Sequence, residues 1–254
     1  MSTAKSIMEI SKAEWLDALQ LTKAAVPEAV IVEGSWWRQQ RTDWRLSYLT
    51  DVKELPFPDI FAGEWRGVRV AYCCAYGAPR AVEIIHLFSQ LGARLAIQIG
   101  TCGGLQPGLN PGDIIVPTVA IARDGVAHLY GGQEEVNSDP LWSENARGAM
   151  RQRGIDVHQG RHLTWSSIFA QDRRLIETWR LAGYLSVDME TATTLAAASY
   201  FGVPALSMLA VWDDLIKGKS FLDPLGQAEQ HALDVSNQAV YEVALQLVEM
   251  INTE

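Results

Sequence analysis

Apolar, strand-like runs alternate with helix-like segments along nearly the whole chain, and this alternation limits the fold more than any other feature. The runs 29–33, 67–77 and 113–122 have strand character, whereas 79–91 has apolar residues at helical spacing and ends before a glycine at 92. Alternating strands and helices form a mostly parallel sheet that is covered on both faces. We therefore predict an α/β fold in which a mixed, mostly parallel central sheet carries helices on both faces.

The remaining segments fit the same plan. We predict one domain over residues 1–254, in which residues 1–25 form a helical N-terminal extension. The glycine-rich run 100–104 reads as a turn after a strand. A helix is expected over 186–202, and a long C-terminal helix over 228–250.

Charge and cysteine content exclude several classes of protein. Thirty Asp and Glu against 21 Lys and Arg give a net charge of −9, which argues against a general nucleic-acid binder. Cys73, Cys74 and Cys102 are odd in number and two are adjacent, so they indicate no disulfide framework and favour a cytoplasmic setting. We expect no membrane span, because no stretch approaches roughly 20 apolar residues, and no metal site, because the histidines lack ligand spacing.

Four segments with chemically capable residues follow predicted strands, where ligands bind in open α/β sheets. They are 34–38, 98–104, 187–190 and 211–214. Each also has a plain structural interpretation: a tight turn, a solvated arginine, carboxylates in the first turn of a helix, or aspartates that cap a turn. Taken singly, the segments leave both interpretations open.

Taken together, the segments resemble a known family. IQIGTCGGLQPGLNPGDIIVP, then VDMETA, then AVWDD follow one another along the chain. In that order and approximate spacing they resemble the purine and uridine nucleoside phosphorylases and the related nucleosidases. The resemblance implies a single α/β domain, a homo-oligomer (a hexamer or trimer of dimers), a nucleoside and inorganic phosphate as substrates, and no cofactor.

The resemblance also implies roles for individual residues. The implied phosphate-binding residues are Gly34, Arg38, Gly100 and Thr101. Met189 and Glu190 match the residues that bind ribose, and Asp213 matches the aspartate that protonates the leaving base in the purine-specific branch. The base-binding residues are expected to be Phe169, Asp188 and Trp212.

Some positions depart from the family pattern. Gln98 stands where the phosphorylases usually carry an arginine, and Arg80 is a candidate to restore the lost charge. The tryptophans Trp36 and Trp37 replace the Asp-Pro of the first loop, and Trp212 replaces a small hydroxyl residue. We expect phosphorolysis of a purine nucleoside in purine salvage. A nucleosidase that uses water and a non-catalytic nucleoside-binding protein remain alternatives.

Overall fold

The computed structural model describes residues 6–252, in which ten strands form one sheet. The strands are β1 (Ala29–Gly34), β2 (Thr50–Glu54), β3 (Phe61–Trp65), β4 (Val68–Ala75), β5 (Leu95–Gly104), β6 (Ile114–Arg123), β7 (Glu135–Asn137), β8 (Val157–Trp165), β9 (Ser186–Asp188) and β10 (Ala205–Asp214). The sheet is mixed, as predicted, and its longest ladders, β1–β4, β1–β5, β5–β10 and β6–β8, are parallel.

Seven α-helices accompany these strands within the same described range. They are α1 (Lys12–Ala18), α2 (Arg38–Leu46), α3 (Ala78–Leu91), α4 (Pro140–Gln152), α5 (Arg173–Leu181), α6 (Thr191–Tyr200) and α7 (Gln227–Met250). Across residues 6–252, no helix has the length and apolar character that crossing a membrane requires. The left-handed Gly92 ends α3, and the Asp139 side chain caps α4 by accepting from the Trp142 N–H at 3.0 Å.

Strand β5 is the centre of the topology, because it pairs with β1, β9 and β10. The strand order is β10-β6-β8-β9-β5-β1-β4-β3-β2, with β7 on β6. Since β10 pairs with both β6 and β5, the strands β5, β10, β6, β8 and β9 close into a ring. The ring gathers the carboxyl ends of β5 and β10 beside those of β1 and β4, at one edge of the sheet.

Helices cover both faces of the sheet, which confirms the predicted layers. Alternate residues of β1 enter different cores: Ile31 packs in the core that α4 and α7 cover, and Val30 and Val32 pack in the core that α3 and α6 cover. Both cores are closely packed, because the inward-facing residues of β1 are fully buried.

The glycine-rich run 100–104 is strand, not the predicted turn. It forms the last half of β5 and pairs with β9 and β10. Its glycines permit close packing instead: a Cβ at Gly103 would lie 2.5 Å from Cδ1 of Leu215. The glycine-rich end of β5 therefore forms a surface against which neighbouring side chains pack.

Other predicted boundaries also change. The helix predicted from 186 begins only at Thr191, because Ser186–Asp188 forms strand β9. The predicted N-terminal helix is the short helix α1 flanked by one-turn 3₁₀ helices at Ile7–Glu9 and Lys23–Ala25. Residues 1–5 of that predicted extension lie outside the described residues.

A buried ion pair joins α2, β1, β4 and α7. Arg45 is fully buried and donates to both carboxylate oxygens of Glu33, at 2.8 and 3.0 Å. The Tyr72 hydroxyl donates to Glu33 at 2.8 Å, and Arg45 also donates to the Asn237 carbonyl at 2.9 Å. The Tyr241 hydroxyl completes the cluster by donating to the Arg45 carbonyl at 3.0 Å. This cluster attaches the C-terminal helix to the strand that begins the site.

We predict that Arg45→Met lowers the free energy of unfolding by about 3 kcal/mol, because it removes both hydrogen bonds of Arg45 to the buried Glu33 carboxylate and leaves only the longer contact to Arg41 at 3.8 Å. Arg66→Met is the matched control, because Arg66 pairs with Glu249 at the exposed surface and should change stability by less than about 1 kcal/mol. Urea unfolding of both variants measures the difference. Equal stability of the two variants would contradict this account of the cluster.

Candidate active site

A cavity lies at the carboxyl ends of the parallel strands. Its volume is about 100 Å³, it opens to solvent, and it is bordered by the end of β1, the segment after β4, the glycine-rich half of β5, the β9–α6 junction and the end of β10. This is the edge at which open α/β sheets bind ligands. The structure brings most of the predicted site residues to this cavity: Gly34, Thr101, Asp188, Met189, Glu190, Trp212 and Asp213.

Glu190 lies buried in the cavity wall, at the start of α6. Its Oε1 accepts from the Gly77 N–H at 2.6 Å, and its Oε2 accepts from the Met189 N–H at 3.3 Å. Burial raises the pKa of Glu190, and the negative charge of Asp188 raises it further. The carboxylate packs against strand β1, where a Cβ at Gly34 would lie 2.5 Å from Oε2. Glycine at 34 is thus what leaves room for the Glu190 side chain.

Asp188 borders the cavity, but its oxygens are occupied by other side chains. Oδ1 accepts from the Thr164 hydroxyl at 3.0 Å and lies 2.8 Å from Nε2 of His162. Oδ2 accepts from the Thr191 backbone at 3.0 Å and from its hydroxyl at 2.6 Å. These contacts fix the β9–α6 junction and with it Glu190. The position of Asp188 therefore suits holding the junction better than the base-binding role predicted for it.

Asp213 faces the cavity from the end of β10. Its Oδ1 is buried and has no hydrogen-bond partner among residues 6–252. Burial raises the pKa of Asp213 to about 7, and the negative charge of Asp223 adds to the rise. The next residue, Asp214, accepts from the Lys217 backbone at 3.1 Å and pairs with its ammonium group at 2.6 Å. Of the two adjacent carboxyls, only Asp213 lines the cavity.

The predicted phosphate-binding residues separate into two places. Gly34 and Gly100 are opposite each other in the β1–β5 ladder, and a Cβ at Gly100 would lie 2.7 Å from the Gly34 carbonyl oxygen. Thr101 follows and lines the cavity. Arg38 instead borders an adjoining groove with Arg80, and its exposed side chain pairs with Asp59 at 2.9 Å. The structure does not bring Arg38 into the cavity with Thr101.

Neither Gln98 nor Arg80 brings a positive charge into the cavity. Gln98 is buried in the sheet, where its Oε1 accepts from the Ser207 hydroxyl and lies 2.9 Å from the Thr191 hydroxyl oxygen. Arg80 pairs with Glu83 and donates to the Pro58 carbonyl. Over the described part of the chain, the cavity wall contains carboxylates but no lysine, arginine or histidine. That range also holds no cluster of three or more residues arranged as metal ligands.

Aromatic side chains at the cavity mouth form the part of the site that sequence reasoning left open. Phe169, predicted to stack on the base, is 83% exposed and contacts Trp36 instead, at 5.8 Å between ring centroids. Trp36, Tyr76 and Phe221 line the cavity. The sequence signal for this wall was the pair of tryptophans directly after β1. Nothing comparable marked His162, whose contact with Asp188 depends on the pairing of β8 with β9.

Comparison with known proteins agrees with this geometry. A family model described as the phosphorylase superfamily matches residues 47–249, which contain the cavity residues from Tyr76 onward. A purine nucleoside phosphorylase of the DeoD type from Alkaliphilus metalliredigens is 28% identical over 193 residues, covering 74% of this chain and 80% of the relative. A uridine phosphorylase from Haemophilus influenzae is 27% identical over 208 residues, covering 74% and 81%.

The fold agrees as well. A crystal structure of uridine phosphorylase from Vibrio fischeri, complexed with 6-hydroxy-1-naphthoic acid, superposes with a TM-score of 0.76 at 19% identity, and the match covers 90% of this chain and 94% of that one. The family model covers most of the sequence, and the residues that it matches include all of the cavity lining except residues 34–37. The chain therefore belongs to the phosphorylase superfamily.

Proposed function

We propose that the protein cleaves the N-glycosidic bond of a nucleoside by phosphorolysis, with purines favoured, to give the free base and ribose 1-phosphate. The observation that carries the proposal is that one cavity holds the half-buried Asp213 carboxyl, with a pKa of about 7, together with the buried Glu190 carboxyl. Relatives named purine nucleoside, uridine and guanosine phosphorylases support the reaction class. The purine preference rests on Asp213 as a proton donor.

Glu190 is suited to bind the ribose hydroxyls. Backbone donors hold its two oxygens from one side, at Gly77 and Met189, and each oxygen keeps a free lone pair. Burial raises the pKa of Glu190 to about 8, and ribose hydroxyls that donate to its oxygens would favour the ionised form, since hydrogen bonds to a charged group are the stronger kind. In the proposal the 2′ and 3′ hydroxyls donate to Glu190, and Met189 packs under the sugar.

Asp213 is suited to assist departure of the base. When the bond between C1′ and the base nitrogen breaks, its electron pair goes to the base, and positive charge develops on the sugar. A proton from Asp213 to the base neutralises the leaving group, and an oxygen of the attacking phosphate forms the new bond to C1′. A pKa near 7 keeps a useful share of Asp213 protonated at neutral pH. Trp212, the neighbour of Asp213 in the sequence, narrows the end of the cavity where the base would bind.

Backbone and hydroxyl groups would position the phosphate. Gly34 and Gly100 bring β1 and β5 close together, and the Thr101 hydroxyl faces the same space. In the proposal Arg38 turns from Asp59 toward the bound phosphate and supplies the positive charge. Because Arg38 is exposed, its ion pair with Asp59 contributes little free energy, and replacing Asp59 by phosphate therefore costs little.

Hydrolysis is the second candidate, and the charge of the cavity favours it. Asp188, Glu190 and Asp213 line the wall, and no cationic side chain in the described residues lines it with them. Whichever of these carboxyls is ionised repels a phosphate dianion, whereas a neutral water molecule meets no such repulsion. In that reaction the product is free ribose.

We also propose that the protein is a homo-oligomer, either a hexamer or a trimer of dimers, that works in purine salvage in the cytoplasm. Support comes from the motif resemblance and from large apolar side chains left exposed on the single chain, among them Leu129, Leu141 and Tyr200. These side chains lie away from the cavity and give subunits apolar surface to bury.

Product identification tests the proposal. We predict that incubation with a panel of purine and pyrimidine nucleosides gives ribose 1-phosphate only when phosphate is present. We also predict that Arg38→Ala raises the KM for phosphate by about tenfold or more, because one charge-assisted contact is lost. Arg66→Ala, at a remote exposed pair, is the control. Free ribose formed at the same rate without phosphate supports hydrolysis instead, and absence of any product contradicts both reactions.

We predict that Asp213→Asn lowers kcat on natural purine nucleosides by about 10²–10⁴-fold, because the transferable proton is lost. Asp214→Asn is the matched control and should change kcat little, since Asp214 contacts Lys217 outside the cavity. The wild-type kcat/KM should fall as pH rises through about 7, where Asp213 loses its proton. An Asp213→Asn enzyme with normal kcat would rule out this carboxyl as the acid.

A further inference from the structure

One fully buried histidine takes no part in the chemistry proposed above. His162 lies on β8 and is wholly shielded from solvent. Its Nδ1 lies 2.8 Å from the Ser186 hydroxyl oxygen, and its Nε2 lies 2.8 Å from Oδ1 of Asp188. Within residues 6–252 Nε2 has no aligned hydrogen bond, so the close carboxylate of Asp188 is what compensates for its burial.

The two partners of His162 are the two ends of one short strand. Strand β9 consists of Ser186–Asp188 and pairs with β5 at only two positions. In the β8–β9 ladder His162 lies opposite Ser186, and Thr164 lies opposite Asp188. Alternate residues of a strand face the same side, so the side chains of Ser186 and Asp188 are both within reach of one imidazole ring. His162 therefore holds β9 at both ends.

The end of β9 determines where the Glu190 side chain lies. Residues 189 and 190 form a bend between β9 and α6, and α6 begins at Thr191. The Thr191 N–H donates to Oδ2 of Asp188 at 3.0 Å, so Asp188 joins the last residue of the strand to the first residue of the helix. Glu190 lies between these two residues. The direction of its carboxyl group therefore depends on the Asp188 side chain keeping its place.

His162 and Thr164 connect Asp188 to the rest of the sheet. Thr191 also contacts Asp188, but it belongs to α6 and moves with the junction that has to be held. Thr164 donates to Asp188 at 3.0 Å and accepts from the Ala192 N–H at 2.8 Å. His162 differs from Thr164 because it also reaches Ser186, at the start of β9. An imidazole N–H facing a carboxylate is in addition the stronger, charge-assisted kind of contact.

We propose that His162 is a positioning residue for ribose recognition. Through Asp188 it holds the β9–α6 junction so that the Glu190 oxygens face the 2′ and 3′ hydroxyls of the nucleoside. This inference rests on the proposed function, because it uses the placement of ribose on Glu190. His162 does not line the cavity and is fully buried, so it acts without touching the substrate. Its loss therefore affects substrates according to how much they use Glu190.

Two substitutions separate the two contacts of the ring. In His162→Asn the shorter amide takes the place of Nδ1 beside Ser186 and does not reach Asp188. In His162→Gln the amide nitrogen takes the place of Nε2 and keeps a donor facing Asp188. The matched control is His158→Asn, because His158 lies on the same strand and is exposed, 3.6 Å from Asp113.

The substrates are a ribonucleoside and its 2′,3′-dideoxy analogue with the same base. We expect His162→Asn to lower kcat/KM by about tenfold or more for the ribonucleoside and by less than about threefold for the dideoxy analogue, since the analogue has no hydroxyl for Glu190 to bind. His162→Gln should keep most of the wild-type ratio between the two substrates. His158→Asn should leave both values unchanged.

The wild-type protein provides a second measurement that needs no activity. Nitrogen-15 NMR distinguishes a protonated from an unprotonated ring nitrogen, and the His162 signals are those missing from the spectrum of His162→Gln. We expect a proton on Nε2, because the carboxylate oxygen that faces it only accepts. A ring protonated on Nδ1 alone overturns the proposal.

The kinetic outcomes separate this inference from the proposed function. An unchanged ratio between the two substrates in His162→Asn, whether both rates fall or neither does, overturns the positioning role and leaves the proposed function intact. A wild-type protein that cleaves both substrates equally well contradicts the placement of ribose on Glu190. If the wild-type protein cleaves neither substrate, the proposed function fails and this inference fails with it.

Discussion

The contact between the Glu190 carboxylate and the backbone of Gly34 is the constraint on which the site depends. Strands β1 and β5 meet at Gly34 and Gly100, and neither position has room for a Cβ. The Gly77 N–H then holds the carboxylate from the side of β4. One acidic side chain thus joins three separate parts of the chain. The cavity and the aromatic side chains at its mouth are positioned relative to this contact.

The electrostatics of the site follow from the same packing. Asp188 accepts from Thr164 and Thr191 and lies 2.8 Å from Nε2 of His162, and its charge helps to raise the pKa of the neighbouring Glu190. Asp213, across the cavity, has no such donors to Oδ1 within the described residues, and burial raises its pKa to about 7. Desolvation thus raises the pKa of two carboxyls in one cavity, those of Glu190 and Asp213, far above their ordinary values.

Local chemistry made much of the fold predictable. Gly92 and Asp139 mark helix ends by their own conformational and hydrogen-bonding preferences, and the buried runs of β1 and β4 are unmistakably strand-like. Strand β2 was not predicted, because all five of its residues are exposed and most of them are polar. Strand β9 was not predicted, because it has only three residues and a helix follows it closely. Short elements of this kind form through their neighbours in the sheet, which a single sequence does not display.

The site was predictable where a strand end delivers a residue directly, and not where a distant partner decides its role. Glu190 and Asp213 reach the cavity from their own strands and junctions. Arg38 was expected beside Thr101, but Asp59, twenty-one residues further along the chain, holds it in the adjoining groove. Gln98 likewise turns to Thr191 and Ser207, which approach only in the folded sheet.

The protonation of Asp213 is the most direct test of this account. Infrared difference spectra between the wild-type protein and Asp213→Asn, recorded across a range of pH, isolate the carboxyl stretch of this one residue. We predict a protonated carboxyl band that disappears with a midpoint near 7, because burial opposes the charged form. A midpoint near the ordinary aspartate value of about 4 would show that Asp213 is ionised at neutral pH and does not act as the acid.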